Sequence, residues 1–202
     1  MSVYPSNVES VDFYILGDVD NKKDSCVEVT SGSIFKNDLP VSGGVYDAHM
    51  GTTDHSWKCM TCFNNKLKCP GHFGHINLRY PLQSPMFKDH IINWLRCLCF
   101  SCGDLLLSKH IQSMKMTDYM KLIRNGDKNI KCTNCNSLHP HISRDKNRSV
   151  NILCEFYGSE PESKRLYNHE IRDIFEKVSL ETLGRLQVDV KSHPVNLMIK
   201  VM

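Results

Sequence analysis

The stretch from Cys59 to His75 reads CMTCFNNKLKCPGHFGH, and it constrains the fold more than any other segment. Two residues separate Cys59 from Cys62, six follow, and two separate Cys69 from His72. A C-x-x-C turn brings two thiolates to one ion from a single tight loop, and a second pair completes the tetrahedron that Zn²⁺ takes in structural sites. Such a closed site leaves no position for a reacting water, so it holds structure rather than hydrolysing anything. Gly71 and Gly74 suit the cramped dihedrals of ligand-bearing turns. His75 is an alternative fourth ligand, although His72 keeps the two-residue knuckle intact. The competing reading is a set of buried or reactive thiols. A six-residue gap suits one ion held by both pairs. Cross-braced RING sites instead interleave two ions, so the spacing counts against a RING-like ubiquitin-ligase adaptor.

A second pattern lies downstream. Cys99 and Cys102 form CFSC followed by Gly103, and Cys132 and Cys135 form CTNC after 29 intervening residues. This is a zinc-ribbon arrangement with a long insert. A redox pair would sit at a helix start in a βαβ setting, which the surrounding pattern lacks. Ten cysteines in all invite a secreted disulfide scaffold, but the start, MSVYPSNVES, has neither the basic nor the apolar region of a signal peptide. The knuckles therefore favour metal in a reducing compartment, with an intracellular chain, or one inside a particle assembled in a cell, as the expectation. Cys26, Cys97 and Cys154 are left over as ordinary buried thiols.

The 202 residues, 41% hydrophobic and 23% charged, suit one ordinary soluble domain or two small ones. No run approaches the ~20 apolar residues of a membrane span, so no membrane partner is expected. A net charge of +3 is too small to prove a polyanion partner, but its distribution is uneven. Six acidic residues stand against Lys22 and Lys23 up to Thr30, whereas nine basic residues face three aspartates from Lys109 to Arg148.

Along the chain, Val11, Phe13 and Ile15 alternate with Asp12 and Tyr14 and predict a half-buried strand. Asp18, Asp20 and Asp24 lack the glycine and glutamate of a calcium loop and read as a polar turn. Val27 and Val29 predict a second strand, followed by connection and turn through Leu39, Pro40 and Gly43-Gly44. Gly43 to Cys59 reads as an ordered loop, and Ile76 to Tyr80 as a short strand ending before Pro81. Ser84-Pro85 predicts a helix start with serine capping, with Phe87, Ile91, Trp94, Leu95 and Leu98 on its core face. A helix near Thr117 to Arg124 stops at Asn125-Gly126. His139 to Ser143 and Val150 to Tyr157 predict a hairpin across the turn Arg144 to Ser149, its histidines 139 and 141 exposed or hydrogen-bonded rather than ligating. Ile171, Ile174, Phe175 and Val178 mark a helix ending near Ser179, then a short turn from Leu180 closed by Gly184. Leu197 to Met202 reads as an apolar strand for which a continuation or a partner supplies the neighbour.

With these motifs in place, the chain resembles the N-terminal clamp region of the largest subunit of multisubunit DNA-directed RNA polymerases. The matching stretches are GGVYDAHMGTTD (43–54), KCMTCFNNKLKCPGHFGHINL (58–78) and WLRCLCFSCGDLLL (94–107), with weaker ones at CNSLHPHISRD (135–145), EIRDIFEKVS (170–179) and SHPVNLMI (192–199). GDVDNKK, VEVT and MGTTDH look closest to polymerases of large cytoplasmic DNA viruses. The resemblance implies an α+β fold, a small mixed clamp domain stapled by two structural Zn²⁺ ions. Cys59, Cys62, Cys69 and His72 would hold the first, and Cys99, Cys102, Cys132 and Cys135 the second, its last pair more compact than in the usual eukaryotic form. It implies a clamp core over 1–96, a clamp head over 97–160, and a return to the core over 161–202, ending in a strand that pairs with the rest of the subunit. The clamp would close over DNA and the RNA–DNA hybrid, with Lys58, Lys66, Lys68, Arg79 and the basic residues from Lys115 to Arg148 as candidate phosphate contacts. Partners would be the remainder of the largest subunit, the second-largest subunit and smaller polymerase subunits. The family's Mg²⁺-binding aspartate triad is not read in this sequence, so Mg²⁺ and nucleotidyl transfer are expected on the remainder, this chain being noncatalytic alone. Localisation would be the virion or host cytoplasm, with the nucleus as alternative. The alternative function is a free zinc-dependent nucleic-acid-binding transcription regulator.

Overall fold

The computed structural model describes residues 8–11, 13–107, 113–124, 130–145, 151–156 and 162–202. Helix α1 (Asp18–Asp24) runs straight into β1 (Ser25–Glu28), followed by β2 (Phe35–Lys36), β3 (Leu39–Pro40), β4 (Phe73–His75) and β5 (Asn77–Gln83). A 3₁₀ turn at Pro85–Phe87 leads into α2 (Lys88–Cys97), with α3 (Met116–Arg124) next. Strands β6 (His141–Arg144), β7 (Ile152–Phe156) and β8 (Glu162–Leu166) precede α4 (Asn168–Glu176), α5 (Leu180–Arg185) and β9 (Met198–Val201). The fold is mixed α and β, as expected. Strands β1 and β4 pair in parallel, β2–β3 and β5–β9 antiparallel, and β6–β7–β8 form an antiparallel meander.

One apolar cluster holds the second half of the chain together. Ile91, Trp94, Leu95 and Leu98 are buried along α2 as their helical spacing requires, with Phe87 packed partly against them. They meet Tyr119 and Ile123 of α3, Ile142 and Ile152 of the meander, and Ile171, Ile174 and Phe175 of α4. The Tyr119 hydroxyl donates to the Cys97 carbonyl at 3.4 Å, and burial raises its pKa. Residues 30 to 80 stand apart, since Cys59 is the only buried hydrophobic residue among them.

Several expectations give way to tertiary context. The described residues of 11–15 form no strand: Val11 and Phe13 are exposed, Asp12 lies outside the described residues, and Ile15 packs against the core. The Asp18–Asp24 stretch is a helix, not a turn, because Asp18 and Asp20 have partners that hold it. Asp20 accepts from the Gly17 amide at 3.0 Å, and Asp18 accepts from the Lys200 and Val201 amides while pairing with Arg172 at 2.8 Å. Asn37 and Asp38 take left-handed φ of 52° and 61°, which closes β2 and β3 into a tight hairpin. Strand β5 continues through Pro81, tolerated because its ladder is irregular between Asn77 and Leu82. Pro85 opens the turn before α2, but the Ser84 side chain makes no cap. The Asn125-Gly126 stop and part of the turn after Arg144 lie outside the described residues. A third strand, β8, joins the predicted hairpin. Gly184 sits inside α5, whose start is capped by Ser179 accepting from the Thr182 amide at 3.2 Å. The final strand, β9, pairs with β5 of the same chain, and Asp18 and Asn21 of α1 bond to its backbone.

Candidate metal centres

Three of the four knuckles share one backbone design. The first cysteine's amide donates to the carbonyl five residues on, and its carbonyl accepts from the amide four residues on. Cys59 does this with Asn64 and Phe63, Cys99 with Asp104 and Gly103, and Cys132 with Ser137 and Asn136, all at 2.8–2.9 Å. The fourth residue on must turn left-handed: φ is 58° at Phe63, 75° at Gly103 and 59° at Asn136. Both cysteines of each knuckle thereby face one centre, as C-x-x-C spacing promises.

The Cys69–His72 pair is built differently. Gly71 supplies the turn at φ 83°, its amide donates to Cys69 Sγ at 3.4 Å, and the His72 amide donates to the Met50 carbonyl at 2.9 Å. The loop before Cys59 wraps this module with consecutive carbonyls: Ala48 accepts from the Met60 amide at 3.0 Å, His49 from the Thr61 hydroxyl at 2.7 Å, and Met50 from His72. Buried Asp47 fixes that loop by accepting from the Gly43 amide (2.6 Å), the His49 amide (2.8 Å) and His49 Nδ1 (2.7 Å). Burial pushes its carboxyl up, but these donors win and hold its pKa below the ordinary value. Sequence reasoning missed Asp47; its only signal was an aspartate set between two glycines and a histidine.

The candidate ligand atoms of Cys59, Cys62, Cys69 and His72 lie within 4.8 Å of one another, as do those of Cys99, Cys102, Cys132 and Cys135. Consecutive knuckles therefore share one centre, which excludes a RING cross-brace in this chain. His75 is outside the first set; its Nδ1 is 2.8 Å from Ser25 Oγ. His72 Nε2 is buried without a hydrogen-bond partner, as a nitrogen reserved for a metal would be. In the second set the Sγ atoms of Cys99 and Cys135 are 3.5 Å apart, and those of Cys102 and Cys132 3.7 Å. Four thiolates about 2.3 Å from one Zn²⁺ would stand roughly 3.8 Å apart, so the spacing fits that ion.

Electrostatics makes the same point. Without a cation, thiolates this close together would repel one another. The Ser137 hydroxyl, 2.9 Å from exposed Cys135, lowers that thiol to about 6, whereas burial and neighbouring sulfurs push Cys102 up to about 12. A divalent ion at the centre reverses this by favouring the thiolate at every position. The module also docks on the core. Lys177 Nζ donates to the Phe100 and Ser101 carbonyls at 2.9 and 3.5 Å, and a Cβ at Gly103 would lie 2.6 Å from the Lys177 carbonyl.

Histidines 139 and 141 are outside the cluster. His141 lies 3.6 Å from Glu155, but His139 departs from expectation: it is buried edge-on against Phe100 with no partner for either ring nitrogen. Burial, helped by the charge of His141, pushes its pKa down to about 4. Cys97 and Cys154 are buried thiols, whereas Cys26 is half-buried, its Sγ 3.2 Å from both the His49 and the Phe73 carbonyl, either of which can accept its one proton. Lys58, Lys66, Lys68 and Arg79 are all exposed. No helix among the described residues is long and apolar enough to cross a membrane.

Two four-residue clusters on a small mixed fold are donor sets of the kind that closed structural metal sites use. The chain belongs to the RNA polymerase Rpb1, domain 1 family, whose model matches residues 5–202. It is 34% identical to an RPB1 homolog of African swine fever virus over 199 residues, covering 96% of this chain and 13% of that protein. A probable RNA polymerase II subunit RPB1 homolog of Invertebrate iridescent virus 6 is 26% identical over 96% of this chain and 20% of its own length. The RNA polymerase II subunit RPB1 of Euplotoides octocarinatus is 38% identical over 51% of this chain and 22% of its own. The chain thus spans less than a quarter of each of these relatives.

Proposed function

We propose that this chain is the N-terminal clamp portion of the largest subunit of a viral DNA-directed RNA polymerase, closing over DNA and the RNA–DNA hybrid during transcription. The observation that carries this is the family match along almost the whole chain, joined to a relative of which it covers only 13%. The chain contributes no catalytic group of its own; nucleotidyl transfer and its Mg²⁺ belong to the remainder of the polymerase, with which it assembles in the host cytoplasm or the virion. Two Zn²⁺ ions, on Cys59, Cys62, Cys69 and His72 and on Cys99, Cys102, Cys132 and Cys135, keep the clamp's shape as it moves. When bound, each ion supplies folding free energy and no reaction chemistry. Lys58, Lys66, Lys68 and Arg79 contact phosphate without reading sequence. A tagged chain purified from its native source is expected to bring down the rest of the largest subunit and the second-largest subunit. Recovery of the chain alone, binding DNA as a monomer, would favour a free regulator instead. Native mass spectrometry is expected to find two zinc ions per chain and no disulfide.

A further inference from the structure

Away from both metal centres, β5 and the junction of β8 with α4 enclose an open cleft of about 330 Å³. Its walls carry Tyr80 and Tyr167, residues that are 64% and 52% exposed although they line a concave surface. Each tyrosine has an arginine against its ring: Arg79 Cζ lies 5.5 Å from the Tyr80 centroid, and Arg165 Cζ 5.5 Å from that of Tyr167. His169 stacks on Tyr167 with ring centroids 5.9 Å apart. Between the walls, Gln83 donates its amide to Asn168 Oδ1 at 2.8 Å, which leaves Gln83 Oε1 buried with no partner. Asn151, also lining the cleft, is tied back to Asp145 at 3.2 Å.

We infer that this cleft binds one unpaired base of a single-stranded nucleic acid, stacked on exposed Tyr80 beside Tyr167 and donating an N–H to Gln83 Oε1. The inference deepens the polymerase reading and rests on it. A π-face matched by tyrosines, a phosphate matched by flanking arginines, and a base-edge donor matched by a lone amide acceptor are the three complementarities an unstacked nucleotide offers. A duplex offers only the phosphates, because its base faces are stacked and its edges paired. The cleft therefore distinguishes single strands from duplex, which the exposed lysines of the first metal loop do not.

The test measures fluorescence anisotropy of labelled ten-residue single strands and of a hairpin duplex, with the zinc-loaded 202-residue chain. Single strands are expected to bind more tightly than duplex, and Tyr80→Ala with Tyr167→Ala to weaken single-strand binding roughly tenfold while sparing duplex binding. Tyr→Phe at both positions is expected to restore it, and Gln83→Met to cost several-fold. If the double variant loses its zinc, either single alanine variant gives the same reading. Unchanged single-strand affinity in the variants, or equal affinity for duplex, overturns the inference. In the assembled polymerase, a photo-crosslinker in place of Tyr80 is expected to capture nucleic acid, and capture of another polypeptide overturns it too. Anisotropy needs no other subunit, so its failure leaves the co-purification result intact, and the converse also holds.

Discussion

The two metal modules use almost the same knuckles but stand in opposite surroundings. Around the second, Cys97, Leu98, Leu105 and Leu106 are fully buried, and Cys99 and Cys132 belong to the main apolar cluster. Around the first, Met60, Phe63, Leu67 and Phe73 are all more than half exposed. An ion at the second would rivet a core; an ion at the first would stand in for a core that is absent. Small modules without enough apolar surface depend on metal for their folding free energy. The difference teaches that similar four-residue sets need not carry equal shares of the fold.

The largest expected effect follows from that contrast. Cys132→Ser removes a ligand whose backbone also pairs with Leu138 and Leu106 through its neighbours Lys131 and Thr133. It is expected to release one zinc and destabilise the core by on the order of 5 kcal/mol or more, enough to unfold a typical domain. A circular-dichroism melt and a zinc titration read both. Cys62→Ser is expected to release one zinc as well, but to unfold only its surroundings. Hydrogen exchange would then show lost protection over 43–75 with α2 and α4 still slow. A variant that unfolds those helices too would break the comparison.

Paired glycine substitutions sharpen it at smaller scale. Both Gly103 and Gly71 have positive φ, at 75° and 83°. A Cβ at Gly103 would meet Lys177 backbone at 2.6 Å, whereas one at Gly71 meets nothing within 4 Å. Gly103→Ala is therefore expected to cost about 2–3 kcal/mol and Gly71→Ala about 1 kcal/mol, strain alone. Asp47→Asn, in the loop that braces the first module, is expected to cost about 1–2 kcal/mol at neutral pH by weakening three donated bonds. Its folded pKa is depressed, so the wild-type advantage is full above the unfolded value near ~3.9 and disappears as pH falls through the folded value. Melts of both forms from pH 7 downward should converge in acid.

Which parts were legible in the sequence follows from the range of the forces involved. Ligand spacing is local and covalent, so the two four-residue clusters that could hold a metal were legible, and so was the core stripe of α2, whose period depends on one helix. What escaped depends on distant partners. The Asp18–Asp24 helix owes its place to Arg172 and to the amides of β9, more than 150 positions along the chain. The stretch 11–15 has the alternation of a strand but pairs with no strand among the described residues. His139 was expected to be exposed or hydrogen-bonded, yet it is buried against Phe100 with neither ring nitrogen partnered.

The smallest stability effect is expected where the proposed function is most exposed. Lys66 and Lys68 lie on the loop between the two ligand pairs of the first module, both exposed. Lys66→Ala with Lys68→Ala should leave the melting curve within about 0.5 kcal/mol of wild type. Each lost phosphate contact should lower the slope of log affinity against log salt by about 0.7–0.9. Lys177→Ala is the matching change at the second module, where the exposed ammonium is spent on the Phe100 and Ser101 carbonyls. It should cost up to about 1 kcal/mol and leave the salt slope unchanged. If instead Lys177 carried the slope and the lysine pair did not, the nucleic acid would lie along the core-bound module, and the division of labour between rivet and exposed jaw would be reversed.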